Sequence, residues 1–284
     1  MIAAAIAALA ARCAPLAPVD NQATWGPGRP AAASAASAPL AGCATLFPGG
    51  AAPRLLNAKL ATRTTPICYK AYGVLFSGVT RTPLWSAERL TSAAVDAARG
   101  IDRVDEFHPD DHLSPDDRSE LRDFRRSGFD RGHMTPSGDE PTPDAQAESF
   151  SLANIVPQAP ALNRGKWSAI ESAVRAMAER SGVVYVVTGP LFEGEQLATI
   201  GGRVVVPTSV FKAVYVPGEG AAAYIATNAD PAAVRQVTIA ELDASAGIDV
   251  FPALSDADKA RALALPVPDA ARRRRAATAD GAPA

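Results

Sequence analysis

The chain has 284 residues, 48% hydrophobic and 20% charged, with a formal net charge of -2 at pH 7. That length and apolar fraction are enough for one substantial core. The near-neutral balance excludes the overall basic character common among stable nucleic-acid binders, so any site for a polyanion has to be built locally.

Residues 1–11 (MIAAAIAALAA) form an apolar run followed by Arg12 and small residues, which predicts a secretory signal over 1–17 and an exported, periplasmic or secreted protein. No Lys or Arg precedes the run, and an Ala-rich disordered end is the alternative. The run is too short for a bilayer span, which needs about 20 apolar residues. Residues 18–41, rich in Ala, Pro, Ser and Gly without apolar periodicity, predict a disordered linker. A single folded domain is expected over 42–265, and a basic tail over 266–284, where Arg272, Arg273, Arg274 and Arg275 read as solvated charge before nucleic-acid contact. If Cys13 leaves with the signal, Cys43 and Cys68 remain, and in an exported protein two cysteines suggest one disulfide. Two buried thiols are the alternative. No CxxC pair or Cys/His cluster has zinc spacing.

Within the domain, residues 70–77 alternate loosely and predict a strand, and 86–98 are short enough to be helical or irregular. The charged stretch 102–126 predicts a long surface loop with a helical turn over 115–124. Residues 183–188, 204–207, 209–216 and 221–227 read as strands, each bounded by Gly, Pro or Asn. A helix is expected over 163–180, stopped by Gly182, with Trp167, Ile170, Val174 and Met177 in one buried stripe. At about 100° per residue, Glu171 and Arg175 lie roughly 80° and 120° round from Asn163, on the shoulder of that stripe. One helix edge can therefore present an amide, a carboxylate and a guanidinium.

Two segments stand apart: 129–136 reads FDRGHMTP, and 150–171 reads FSLANIVPQAPALNRGKWSAIE. Together, in that order and spacing, they resemble the DNA/RNA non-specific endonucleases of the ββα-metal (His-Me finger) superfamily, a family that includes secreted bacterial nucleases and mitochondrial endonuclease G. The resemblance spans roughly residues 43–252. It implies an α+β fold, with a mainly antiparallel sheet framework behind a catalytic strand and helix. It implies metal-dependent hydrolysis of DNA and RNA to 5′-phosphate and 3′-hydroxyl ends, with Mg²⁺ (or Mn²⁺) as cofactor. Carried over by position, His133 matches the general base, Asn163 the side-chain metal ligand and Glu171 the acid that orients water. Arg131 and Arg175 match phosphate-facing arginines, Asp130 and Asn154 supporting residues and, more loosely, Arg81 a further phosphate contact. The implied partners are DNA and RNA substrates, with no stable membrane span and homodimerisation left open.

The chemistry asks for these residue types independently. Attack on a phosphodiester needs a proton acceptor near neutrality, which a His of ordinary pKa about 6.5 supplies. A hard cation held by few protein oxygens keeps water in its other positions, and guanidinium forks match phosphate oxygens. Plainer readings stand beside these. Asn163 could cap the helix, Glu171 and Arg175 could be an i,i+4 salt bridge, and Trp167 reads as core. His108 and His112 in HPDDH fit an exposed loop. A rival function is a catalytically inactive nuclease-like domain that binds nucleic acid or protein, and another is a phosphodiesterase acting on small or lipid substrates.

Overall fold

The structure is a computed structural model, and it describes residues 40–267. The expected signal, most of the linker and most of the basic tail lie outside the described residues. Thirteen strands and six α-helices follow one another among them. In chain order the strands are β1 (Arg54–Leu55), β2 (Thr64–Cys68), β3 (Tyr72–Ser77), β4 (Thr82–Thr91), β5 (Asp130–His133), β6 (Ile155–Gln158), β7 (Val183–Leu191), β8 (Thr199–Ile200), β9 (Val204–Val205), β10 (Ser209–Val216), β11 (Gly220–Thr227), β12 (Val234–Val237) and β13 (Ile248–Asp249). The helices are α1 (Ser92–Ala98), α2 (Leu121–Phe124), α3 (Pro143–Ser149), α4 (Ser168–Ser181), α5 (Ile239–Ala246) and α6 (Asp256–Ala260).

A seven-stranded sheet in the order β12-β11-β10-β7-β4-β3-β2 is the framework, and each neighbouring pair is antiparallel. The expected mainly antiparallel framework is therefore present. Its central strands are buried on both faces, which is why β7 and β10 read as nearly continuous apolar runs. Along β7 and β10, Val184, Val186, Val210 and Val214 face one core with Trp167, Ile170, Val174 and Met177. Val187, Phe211 and Ala213 face another with Phe47, Trp85, Leu242 and Phe251. The sheet is thus covered by α4 on one side, and by the N-terminal turns and α5 on the other.

The expected stripe of α4 is the buried one, and Gly182 ends the helix at φ 80, a backbone conformation that costs glycine little. The helix does not begin as an α-helix at Asn163. Leu162–Trp167 form a π-type turn, and the α-helix starts at Ser168. Residues 86–98 divide at Thr91 into the end of β4 and the short α1, whose first turn is capped by the Thr91 hydroxyl accepting from Ala94 N at 3.1 Å. The strand half showed no alternation because seven of the first eight residues of β4 are buried, whichever face they point to.

Cys43 and Cys68 form a disulfide with Cα atoms 5.8 Å apart, joining the 3-10 turn Ala41–Leu46 to β2. That turn brings Phe47 edge-on to Trp85, with ring centres 6.2 Å apart, and covers the second core. The bridge closes a 25-residue separation, which should stabilise the fold by roughly 3 kcal/mol in the chain-entropy model. Replacing both cysteines by serine should lower the denaturant midpoint accordingly. An unchanged midpoint in oxidised protein rules out a stabilising bridge.

Candidate active site

The DRGH segment is β5, which forms a two-stranded ribbon with β6 in the register Asp130↔Gln158 and His133↔Ile155. Gly132 is required by packing: a Cβ there would overlap the fully buried Gln158 side chain. The residues after His133 are fastened to the sheet. Ser86, Thr188 and Lys212 occupy one cross-strand row on β4, β7 and β10. Ser86 shares a 2.6 Å hydrogen bond with Thr135, and Lys212 Nζ donates to Thr188 Oγ1 at 2.7 Å and to the Met134 carbonyl at 3.3 Å. Asn154, wholly buried, closes the clamp. Its Oδ1 accepts from Thr135 N at 2.9 Å, and its Nδ2 donates to the carbonyls of Thr135 and Ser149 at 2.8 and 3.0 Å.

The second motif meets the first at Asp130. Asn163 Nδ2 donates to Asp130 Oδ2 at 3.0 Å, while Arg164 makes two bonds to the same carboxylate at 2.8 and 2.6 Å. Burial alone would raise the Asp130 pKa, but the hydrogen bonds from Arg164 and Asn163 and the nearby arginine charges hold it below the usual carboxylate range. A carboxylate only accepts, so the amide must present its NH₂ to Asp130 and turn Oδ1 away from it. The N-cap of the turn is Ala161, so Asn163 lies inside it and its side chain reaches across to β5. Among the described residues no group of three or more His, Cys, Asp or Glu side chains could hold a metal. The donor set in the cleft is instead an oriented amide oxygen and the carboxylate of Glu171. That set fits a hard divalent cation that keeps most of its water.

Arg103, Arg131, His133, Asn163, Glu171 and Arg175 line one cleft of about 310 Å³. His133 is 8% exposed, packed against Phe107 and Phe150 with ring centres 5.2 and 5.0 Å away. Its Nε2 has no hydrogen-bond partner among the described residues. Burial, helped by the charges of Arg103 and Arg131, pushes the imidazole pKa down to about 3, so the ring is neutral over the physiological range. Arg131 lies over Phe107 at 4.2 Å, a cation–π contact. Arg175 donates to the buried Asp139 at 2.6 Å and to Ser172 at 3.2 Å. Behind the cleft, burial and the charge of Asp139 push the Glu88 carboxyl well above its usual range, against the opposing charges of Lys212 and Arg175.

Six of the expected residues therefore meet: His133, Arg131, Asn163, Glu171 and Arg175 in the cleft wall, with Asp130 behind Asn163. Asn154 supports the His133 segment from within. Arg81 does not line this cleft. It sits at φ 59, donates to the Arg118 carbonyl at 2.9 Å, and has the charges of Arg203 and Arg63 nearby. Arg103 does line it, donating to Ser137 Oγ at 2.6 Å and Asp105 at 2.7 Å and lying 5.1 Å from the centre of the Phe150 ring. Sequence reasoning passed over Arg103 because it belongs to the charged stretch 102–126, where nothing distinguishes it from its neighbours. Asp139 had no signal either, since its role depends on meeting Arg175.

Replacing Gly132 with alanine should destabilise the β5–β6 ribbon by about 1–3 kcal/mol, the usual cost of overpacking, and a thermal melt of the variant measures this. Stability equal to the wild type means that Gln158 can swing aside at no cost.

The sequence matches the DNA/RNA non-specific endonuclease family over residues 54–257. It is 35% identical over 168 residues to Nuclease C1 of Cunninghamella echinulata var. echinulata, covering 55% of this chain and 67% of that one. Nuclease 1, mitochondrial, of Schizosaccharomyces pombe is 34% identical over 162 residues, covering 52% and 50% respectively. The chain thus spans about two thirds of the first relative's length and half of the second's. Among solved structures, a chain of the EndoG/EndoGI complex superposes with a TM-score of 0.62 at 27% identity, covering 70% of this chain and 92% of that one. The expectation of an exported protein is overturned: several relatives at similar identity are mitochondrial nucleases. The apolar run on which that expectation rested lies outside the described residues. With a family match over most of its length and a TM-score of 0.62 to an endonuclease G structure, the chain belongs to the DNA/RNA non-specific endonuclease family.

Proposed function

We propose that the chain is a metal-dependent endonuclease that hydrolyses phosphodiester bonds of DNA and RNA with little regard for sugar or sequence, leaving 5′-phosphate and 3′-hydroxyl ends. One observation carries this reading. A cleft brings a neutral imidazole and an amide turned by Asp130 together with arginines suited to phosphate.

His133 accepts the proton of the attacking water at Nδ1, because Nε2 is buried away from solvent. The water oxygen bonds to phosphorus, and the 3′ oxygen leaves with its bonding pair. Asn163, with Glu171 beside it, would hold a divalent cation such as Mg²⁺ or Mn²⁺, which would supply positive charge to the phosphate and the departing oxygen. Arg175 and Arg103 are already oriented by Asp139 and by Ser137 and Asp105, so little reorganisation is needed to meet the charge that develops. Arg131 adds a guanidinium that lies over the Phe107 ring. The cleft offers arginines to the backbone, which every sequence shares.

Incubation of plasmid and RNA with Mg²⁺, with and without chelator, tests the function. Cleavage of both that stops with chelator is expected. A folded wild-type protein that leaves both intact points to an inactive binding domain, and one that cleaves only a small chromogenic diester points to a phosphodiesterase. His133→Ala should lower turnover by at least about 10²-fold, with a smaller change in DNA affinity. Wild-type turnover in that variant rejects the proposed base.

The pH profile gives a second test. A base must be unprotonated, and His133 in the free enzyme protonates only near pH 3. The kcat/KM profile, which reports the free enzyme, should therefore show no His limb near about pH 6.5. A phosphate bound beside Arg103 and Arg131 offsets their charge, so the acid limb of kcat should lie above that of kcat/KM. A kcat/KM limb near the ordinary His value contradicts the burial of the base.

A further inference from the structure

A second groove, of about 640 Å³, opens from the cleft and shares Arg103, Arg131, Asn163 and Arg164 with it. It runs towards α2, where Leu121, Phe124, Arg125 and Phe129 complete its lining. Part of its lining is apolar. Phe129 is half-buried against the cluster of Phe124, Leu152 and Ile155, and Leu121 is a large apolar side chain left 37% exposed. The rim is basic, with four arginines lining the groove against two aspartates. Asp105 is paired with Arg103 and Asp130 with Arg164. The Arg125 side chain is exposed and makes no hydrogen bond or ion pair among the described residues. Arg125 and Arg131 make no ion pair among the described residues, although Asp130 lies near Arg131, and apolar side chains stand beside them in the groove lining.

Resting on the nuclease reading above, we infer that this groove holds the nucleotide next to the scissile phosphate in an unpaired strand. The neighbouring phosphate lies on Arg125 and Arg131, and the base face lies on Phe129 and Leu121. Charge complementarity selects a polyanion, and the Phe129 and Leu121 side chains select an unpaired strand. In a duplex both faces of each base are already stacked, whereas an unpaired base can lay one face on an aromatic ring. The features used are common to DNA and RNA, so the subsite is indifferent to the sugar.

Binding of a fluorescent single-stranded oligothymidylate, followed by anisotropy in chelator over a range of salt, tests this without requiring cleavage. Arg125→Ala should weaken binding by roughly threefold to tenfold and reduce the slope of log affinity against log salt by about 0.7, one phosphate's share on a single strand. Phe129→Leu keeps an apolar side chain in the cluster. It should weaken binding by about fivefold or more through lost stacking while leaving the slope unchanged. Arg122→Ala removes the same charge from α2 at a residue outside the groove lining and serves as the control. A duplex of equal length should be indifferent to Phe129→Leu. Equal losses in Arg122→Ala and Arg125→Ala reduce the effect to diffuse charge and overturn the subsite, as does unchanged binding in Arg125→Ala. Equal dependence of duplex and single strand on Phe129 overturns the unpaired-strand assignment. Absence of cleavage by the wild type in Mg²⁺ rejects the nuclease reading separately, because the affinities in chelator still report on the groove.

Discussion

The carboxylate of Asp130 is the point where the two halves of the site are made into one. It sits on the strand that carries His133, yet its hydrogen bonds go to Asn163 and Arg164, just before α4. Because a carboxylate can only accept, one hydrogen bond settles which way the Asn163 amide faces. Arg131, the neighbour of Asp130 on the same strand, rests on the Phe107 ring. The π-type turn over Leu162–Trp167 belongs to the same arrangement, since it lets Asn163 approach β5 while the helix beyond it keeps its apolar stripe on the sheet.

The catalytic strand is held from behind by polar groups that are expensive to bury. Lys212 is 1% exposed on a central strand, and an ammonium there needs its donors used. Its bonds to Thr188 and to the Met134 carbonyl and the Trp167 ring 5.5 Å away supply that setting. The apolar wall of Phe107 and Phe150 does the opposite for His133, removing solvent so that the ring stays neutral. The same small region thus keeps one lysine satisfied and one imidazole unpartnered, and the difference lies in what surrounds each.

Much of the framework was legible in the sequence. The strands at 209–216 and 221–227 emerge as β10 and β11 within a residue, since Gly and Pro mark their ends and apolar residues fill them. The stripe Trp167, Ile170, Val174 and Met177 was readable because helical periodicity is local. The strand β4 was not, because burial on both faces erases alternation. Arg103 and Arg81 show the limit for site residues. Both are arginines in unremarkable local settings, and only the fold places one in the cleft and the other against the Arg118 carbonyl.

By itself the sequence determined the residues of the two motifs and the local elements, which are written in residue order and local periodicity, and the resemblance those motifs carry implied the family and its antiparallel framework. Tertiary structure decided the rest. It turned Asn163 through Asp130, gave Arg175 its buried partner Asp139 and removed water from around His133. These are contacts between side chains tens of residues apart in the chain, and the directions, charges and desolvation they impose exist only once the sheet has brought them together.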